Sequence, residues 1–192
     1  MNNEIDYKFI KETNAKIIIV VAYGQLIPEK FLNIENLLFL NVHASLLPKW
    51  RGAAPIQRSI IEMDKETGIS IMKIIPKLDA GPYMLQEKIG INKNENFLSL
   101  SKRLSAVGEK LIIEALSLFE KKEIVFKDQN EKDVTYAKKI SKKESEIDWN
   151  ETAQKILAKI NGLNPNPGVW FNHNGNRIKI IDAEISKNQG KK

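Results

Sequence analysis

The sequence predicts an α/β fold over its first 120 residues, and three observations carry that prediction. Residues 15–22 (Ala-Lys-Ile-Ile-Ile-Val-Val-Ala) form an uninterrupted, largely β-branched run, the pattern of a parallel strand buried on both faces. Further strand-length apolar runs alternate with segments of helical period. After Asn96, the residues Leu100, Leu104, Val107, Leu111, Ala115 and Leu118 recur at helical spacing, which makes one long amphipathic helix.

Taken in order, residues 4–13 read as a short helix, and the strand over 15–22 ends at Tyr23-Gly24. A short helical turn over 28–31 precedes a second strand over 37–43. Residues 44–54, with Pro48 and Gly52, are a loop. Pro55 suits a first helical position, and Ile56, Ile60 and Met63 extend a helix over 55–63. A third strand over 68–75 is closed by Pro76, followed by a loop over 77–81. The strand expected over 82–91 carries a proline and charges, which suit a sheet edge. Asn96 caps the long helix, which runs to Glu120.

The texture changes beyond residue 121. The charged segment 122–133 reads as a linker between a first domain over 1–121 and a second over 134–192. In the second, residues 134–140 read as a strand and 151–161 as a helix. Strands over 169–172 and 177–184 are joined through Asn174-Gly175, a strong hairpin signal. The polar end, 186–192, is expected to fray.

Composition narrows the function classes. There is no cysteine among the 192 residues, so disulfides and thiolate-held metals are excluded. The two histidines, His43 and His173, stand in no ligand-spaced motif, and no metal site is expected. No apolar run approaches the roughly 18 residues that span a bilayer. The N-terminus has no basic segment followed by an apolar one, so a cytoplasmic protein with no membrane partner is expected. The net charge of +6 is unevenly placed. Residues 1–120 carry 15 basic against 14 acidic side chains, whereas 121–192 carry 15 against 10. That excess suits either a solvated lysine-rich face or a phosphate-attracting surface.

The most informative stretch is Asn41-Val42-His43-Ala44-Ser45-Leu46-Leu47-Pro48. Asn41 and His43 lie two apart on a strand, so their side chains share a face where the strand runs out into a loop. An amide donor and an imidazole aimed at one point could stabilise an oxyanion. Asp79, in Leu78-Asp79-Ala80-Gly81, lies on the loop after the third strand and can reach His43 if those strand ends meet.

These segments resemble the signature of formyltransferases that use 10-formyltetrahydrofolate. The resemblance runs in register from about residue 15 to residue 185. Within that family, Trp50-Arg51-Gly52-Ala53-Ala54-Pro55-Ile56-Gln57, Val134–Ile140 with Ile147-Asp148-Trp149, and Asn164-Pro165-Asn166-Pro167-Gly168 are similar to segments of the methionyl-tRNA formyltransferases. The departures are Asn166, where the family usually has Trp, and Lys77, where Gly is frequent.

The resemblance implies a Rossmann-like domain with a mainly parallel sheet, followed by the beginning of an OB-like β-barrel. It implies that earlier βα units precede residue 1 and that the barrel continues past Lys192. It makes Asn41, His43 and Asp79 the catalytic trio. Ser45, Leu46, Leu47 and Pro48 would line the folate site, bordered by Ala22-Tyr23-Gly24. The expected reaction moves the formyl group of 10-formyltetrahydrofolate to the amino group of initiator methionyl-tRNA, in a monomer, without metal. The amine would attack the formyl carbon directly, with Asn41 and a protonated His43 donating to the oxyanion and Asp79 holding His43. The competing expectations are a related folate-dependent enzyme acting on a nucleotide or sugar-nucleotide amine, and a fragment without activity.

Overall fold

The computed structural model describes residues 4–186. In chain order these form α1 (Glu4–Glu12), β1 (Ile17–Val21), α2 (Glu29–Leu32), β2 (Leu38–His43), β3 (Arg51–Gly52), α3 (Pro55–Ile61), β4 (Glu66–Lys73), β5 (Tyr83–Gly90), α4 (Phe97–Glu120), β6 (Tyr136–Ala137), α5 (Ala153–Leu163), β7 (Val169–His173) and β8 (Asn176–Ile180). Of the polar end expected to fray, all but Ser186 lies outside the described residues.

The central sheet has the order β1-β2-β4-β5. β1 pairs with β2 in parallel, as expected, and β5 takes the expected edge. The expectation of a mainly parallel sheet does not extend past β2 in the described chain, because β4 runs antiparallel to both β2 and β5. The 44–65 connection carries α3 and returns the chain to the sheet at the end it left, with Ser70 of β4 opposite His43 of β2.

Alternation along β2 divides the sheet's two faces. Leu38, Leu40 and Val42 join the cluster under α4, with Leu100, Leu104, Leu111 and Ala115. Phe39 points the other way, into the cluster with Ile10, Ile27 and Phe31. Asn41 and His43 share that second face by the two-residue period. Residues of β1 also face both clusters, Ile17 the first and Ile18 and Val20 the second. They are only half-buried, because β1 has a strand neighbour on one side alone among the described residues. Helix α4 has the expected cap: Asn96 accepts from the Ser99 N–H while the Ser99 hydroxyl closes the box.

The C-terminal module has its own small core of Ile147, Ile160, Leu163 and Val169, against which Ile61 of α3 also packs. Its hairpin β7–β8 turns on Asn174 and Gly175, both at positive φ, as a two-residue turn of this hand requires. β8 stops at Ile180, short of the expected residue 184. This hairpin is the part of the expected barrel that the described residues contain. The strand expected over 134–140 shrinks to two residues, since it pairs only with the two extended residues of β3.

Arg58 of α3 ties the two modules together, donating to the Glu144 carboxylate at 2.7 Å and to the Lys138 carbonyl. The Arg58 guanidinium holds the Glu144 carboxyl at about 2, against an ordinary value of 4.5. A depressed carboxyl contributes stability above its free value and loses it as pH falls through the folded one. Wild type and Glu144→Gln are therefore expected to differ in thermal stability at neutral pH. Their melting temperatures should converge as the pH is lowered from about 4.5 to about 2. A gap that stays constant across that window would contradict the ion pair.

Candidate active site

The site lies at the C-terminal end of β2, on the sheet face opposite α4. His43 is 5% exposed, and its ring stands between two oxygens. Nε2 is 2.8 Å from the Trp50 carbonyl oxygen, and Nδ1 is 3.7 Å from Asp79 Oδ2. A carbonyl can only accept, so in the neutral ring the hydrogen sits on Nε2. At 3.7 Å the contact with Asp79 is longer than a hydrogen bond, and it is an ion pair only when the ring carries a second proton. Asp79 Oδ2 also accepts the Gly52 N–H at 2.8 Å, which anchors the carboxylate to the 44–54 loop.

Asn41 is on the same strand face, half-buried, and its side-chain amide makes no hydrogen bond among the described residues. Asn41 lies on the same strand face as His43, and Asp79 Oδ2 comes within 3.7 Å of His43 Nδ1. The Trp50 carbonyl oxygen engages His43 Nε2, which leaves Nδ1 as the ring nitrogen without a hydrogen bond among the described residues. The sequence alone could not place that carbonyl, since Trp50 adopts φ 63° and its peptide orientation follows from tertiary contacts.

The expected folate-lining segment divides in two. Ser45 and Leu47 face inward and are buried, whereas Leu46 and Pro48 are partly exposed. The Ser45 hydroxyl donates to the Lys49 carbonyl and so closes its own turn. Ser70 Oγ donates to the Ser45 carbonyl at 2.6 Å and accepts the Leu47 N–H at 3.1 Å. Gln86 Nε2 donates to Ser70 Oγ and to the Leu47 carbonyl, both at 2.8 Å. His43, Ser70 and Gln86 lie in one register row across β2, β4 and β5, so a polar row on the sheet pins this turn beside the histidine. Ala22-Tyr23-Gly24 follows the end of β1, adjacent to the same end of β2.

Several residues of the site were not singled out from the sequence. Arg51 is fully buried, and its Nε donates to Gln129 Oε1 at 2.9 Å. Gln129 Nε2 donates to the carbonyls of Asp79 and Gly81, at 2.9 and 2.7 Å. Glu131 accepts from Arg51 and from Lys77, and these two cations, Arg51 foremost, lower its carboxyl from the ordinary value. The signal available for Ser70 was a polar residue at an inward position of an apolar strand. No comparable signal marked Gln129, which lies in a charged stretch.

The segment expected as a linker is therefore docked. Lys127 exchanges both backbone hydrogen bonds with Tyr83 at the start of β5, and Phe126 joins the α4 cluster. Thr135 accepts the Trp50 N–H through its hydroxyl and the Arg51 N–H through its carbonyl.

Comparison with known proteins assigns the chain to a family. Residues 1–116 match the formyl transferase family, and residues 139–192 match the formyl transferase C-terminal domain. A methionyl-tRNA formyltransferase of Pelagibacter ubique is 49% identical over 98% of this chain and 61% of its own length. One from Fusobacterium nucleatum is 41% identical over 92% of this chain and 57% of its own. Among solved structures, a methionyl-tRNA formyltransferase from Clostridium thermocellum superposes with a TM-score of 0.75 at 23% identity, covering 100% of this chain and 82% of that one. HypX from Aquifex aeolicus, in complex with tetrahydrofolic acid, shares the fold with a TM-score of 0.79 at 16% identity, over 94% of this chain and 32% of that one. The chain spans 57–61% of the length of the curated relatives it matches. With both family regions matched in order, the chain belongs to the formyl transferase family.

Proposed function

We propose that this chain transfers the formyl group of 10-formyltetrahydrofolate to the α-amino group of methionyl-tRNA. The observation that carries the reading is the Asn41 amide, without a hydrogen-bond partner among the described residues, on the same strand face as the His43–Asp79 pair. Asn41 would donate to the formyl oxygen, where negative charge develops during transfer. His43 and Asp79 would hold and move the proton released by the attacking amine. The folate, when bound, supplies the electrophilic formyl carbon. Partly exposed Leu46 and Pro48 offer apolar surface for its flat ring, and the Ser45–Leu47 backbone is already pinned by Ser70 and Gln86. The Asn41 donor next to the His43–Asp79 pair fits a formyl-bearing co-substrate.

The acceptor follows from the relatives named methionyl-tRNA formyltransferase, 41–49% identical over most of this chain. Exposed Lys138, Lys139, Lys142 and Lys143 supply phosphate-attracting charge on the C-terminal module. An enzyme with this acceptor works where translation starts, in the cytoplasm, and no helix among the described residues is long and apolar enough to cross a membrane. The test is to incubate the full chain with 10-formyltetrahydrofolate and either methionyl-tRNA or a sugar-nucleotide amine. Formylation of methionyl-tRNA is expected. Transfer only to the small amine, or to neither, would overturn the proposal.

A further inference from the structure

We infer that residues 129–135, which join the two modules, are a positioning part of the active site rather than a tether. For its catalytic consequence this rests on the function proposed above. Both oxygens that bracket His43 trace back to this segment. On one side, Gln129 grips the Asp79 loop with two hydrogen bonds from a single amide, to the carbonyls on either side of Ala80. Two donors on carbonyls two residues apart restrain rotation of the peptides between them, and so the direction of the Asp79 side chain. On the other side, the Thr135 hydroxyl accepts the N–H of Trp50, whose carbonyl faces His43 Nε2. Trp50 is held at φ 63°, a conformation that a large side chain adopts only under outside restraint.

Gln129 is itself oriented. At 9% exposure its Oε1 is fixed by Arg51 Nε, which decides which end of the amide faces the loop. Arg51 is a costly choice for this task. It is fully buried, and its Nη1 has no partner among the described residues. An apolar side chain would fill the space with a smaller desolvation penalty but could not orient the Gln129 amide. Glu131, from the same segment, reaches Arg51 and Lys77, so a third contact joins the segment to the Asp79 loop.

The test uses the full chain and three substitutions. Gln129→Glu keeps the length and the acceptor for Arg51 but has no N–H for the two carbonyls. Gln129→Ala removes the whole grip, and Thr135→Val removes the hydroxyl alone. In Gln129→Glu, amide hydrogen exchange at residues 77–81 is expected to speed up by about tenfold or more while exchange in α4 is unchanged. The ¹⁵N shifts of the His43 ring should move in Gln129→Glu and in Thr135→Val, with His173 as the internal reference. If transfer is active, kcat should fall by about tenfold or more, with KM for the folate within about twofold. Unchanged loop exchange and an unchanged His43 spectrum in the Gln129 variants would overturn the inference, as would faster exchange with wild-type kcat. Exchange and spectra need no turnover. An inactive wild-type chain whose loop loosens in Gln129→Glu would therefore sink the proposed reaction and not the positioning role. Should Gln129→Ala fail to fold, the near-isosteric Gln129→Glu still decides.

Discussion

Asn41→Ala is expected to lower kcat for the proposed formyl transfer by about 10²–10³-fold, the usual cost of removing one donor from a site of developing negative charge. The melting temperature should hardly move, since the Asn41 side chain makes no hydrogen bond to the protein among the described residues. This separation of turnover from stability distinguishes a donor to substrate from a structural amide. Asn41→Asp, which exchanges the donor for an acceptor at nearly constant volume, should fall at least as far. His43→Ala removes the proposed proton carrier, which should cost about 10²–10⁴-fold. The double variant should fall little below the worse single one, because groups that act on one transition state do not add. Near-wild-type turnover in Asn41→Ala, measured with methionyl-tRNA as acceptor, would remove Asn41 from the mechanism.

Gly81→Ala is expected to cost about 100-fold in kcat without touching a catalytic side chain. A Cβ at Gly81 would land well inside contact distance of the Lys73 carbonyl oxygen, with Met72 Cε behind it at 3.3 Å. Lys73 is the last residue of β4 and is held in the sheet, so the 74–82 loop has to yield. A shift of about 1 Å at Asp79 is enough to cost about two orders of magnitude in a positioned site. Overpacking of this kind should also destabilise the fold by about 1–3 kcal/mol, read from chemical denaturation. Gly90→Ala is the control, since the nearest atom to its added Cβ is the Lys65 carbonyl oxygen at 3.9 Å. Full turnover in Gly81→Ala would show that the loop's position does not matter to transfer.

The difference between Asn41 and Gln129 explains which parts of this site could be read in advance. Asn41 and His43 are neighbours by strand period, a property of local sequence. Their approach to Asp79 required only that a loop after β4 reach the end of β2. β4 is antiparallel, so the loop leaves it beside Leu40 and has to fold back toward His43. Gln129 meets Asp79 across 50 residues of chain, and Thr135 meets Trp50 across 85. Contacts at such separations have no periodicity to announce them. Ser45 and Leu47 illustrate a second limit. The motif containing them was legible, but a turn places alternate residues inside and outside only once Ser70 and Gln86 have fixed its backbone.

Local patterning by itself determined the elements: the β-branched run of β1, the Asn96 cap and buried stripe of α4, Pro55 at the start of α3, and the Asn174-Gly175 hairpin. Each depends on propensity or period within a few residues. The direction of β4, the docking of residues 122–133 against β5, and the two oxygens beside His43 were decided only by tertiary structure. The first was set by where residues 44–65 return the chain to the sheet, with Ser70 opposite His43. Pairing with a free strand edge at Tyr83 contributed to the second. The third depended on side-chain and backbone groups of residues 129–135 that hold the Trp50 and Asp79 backbones from across the fold.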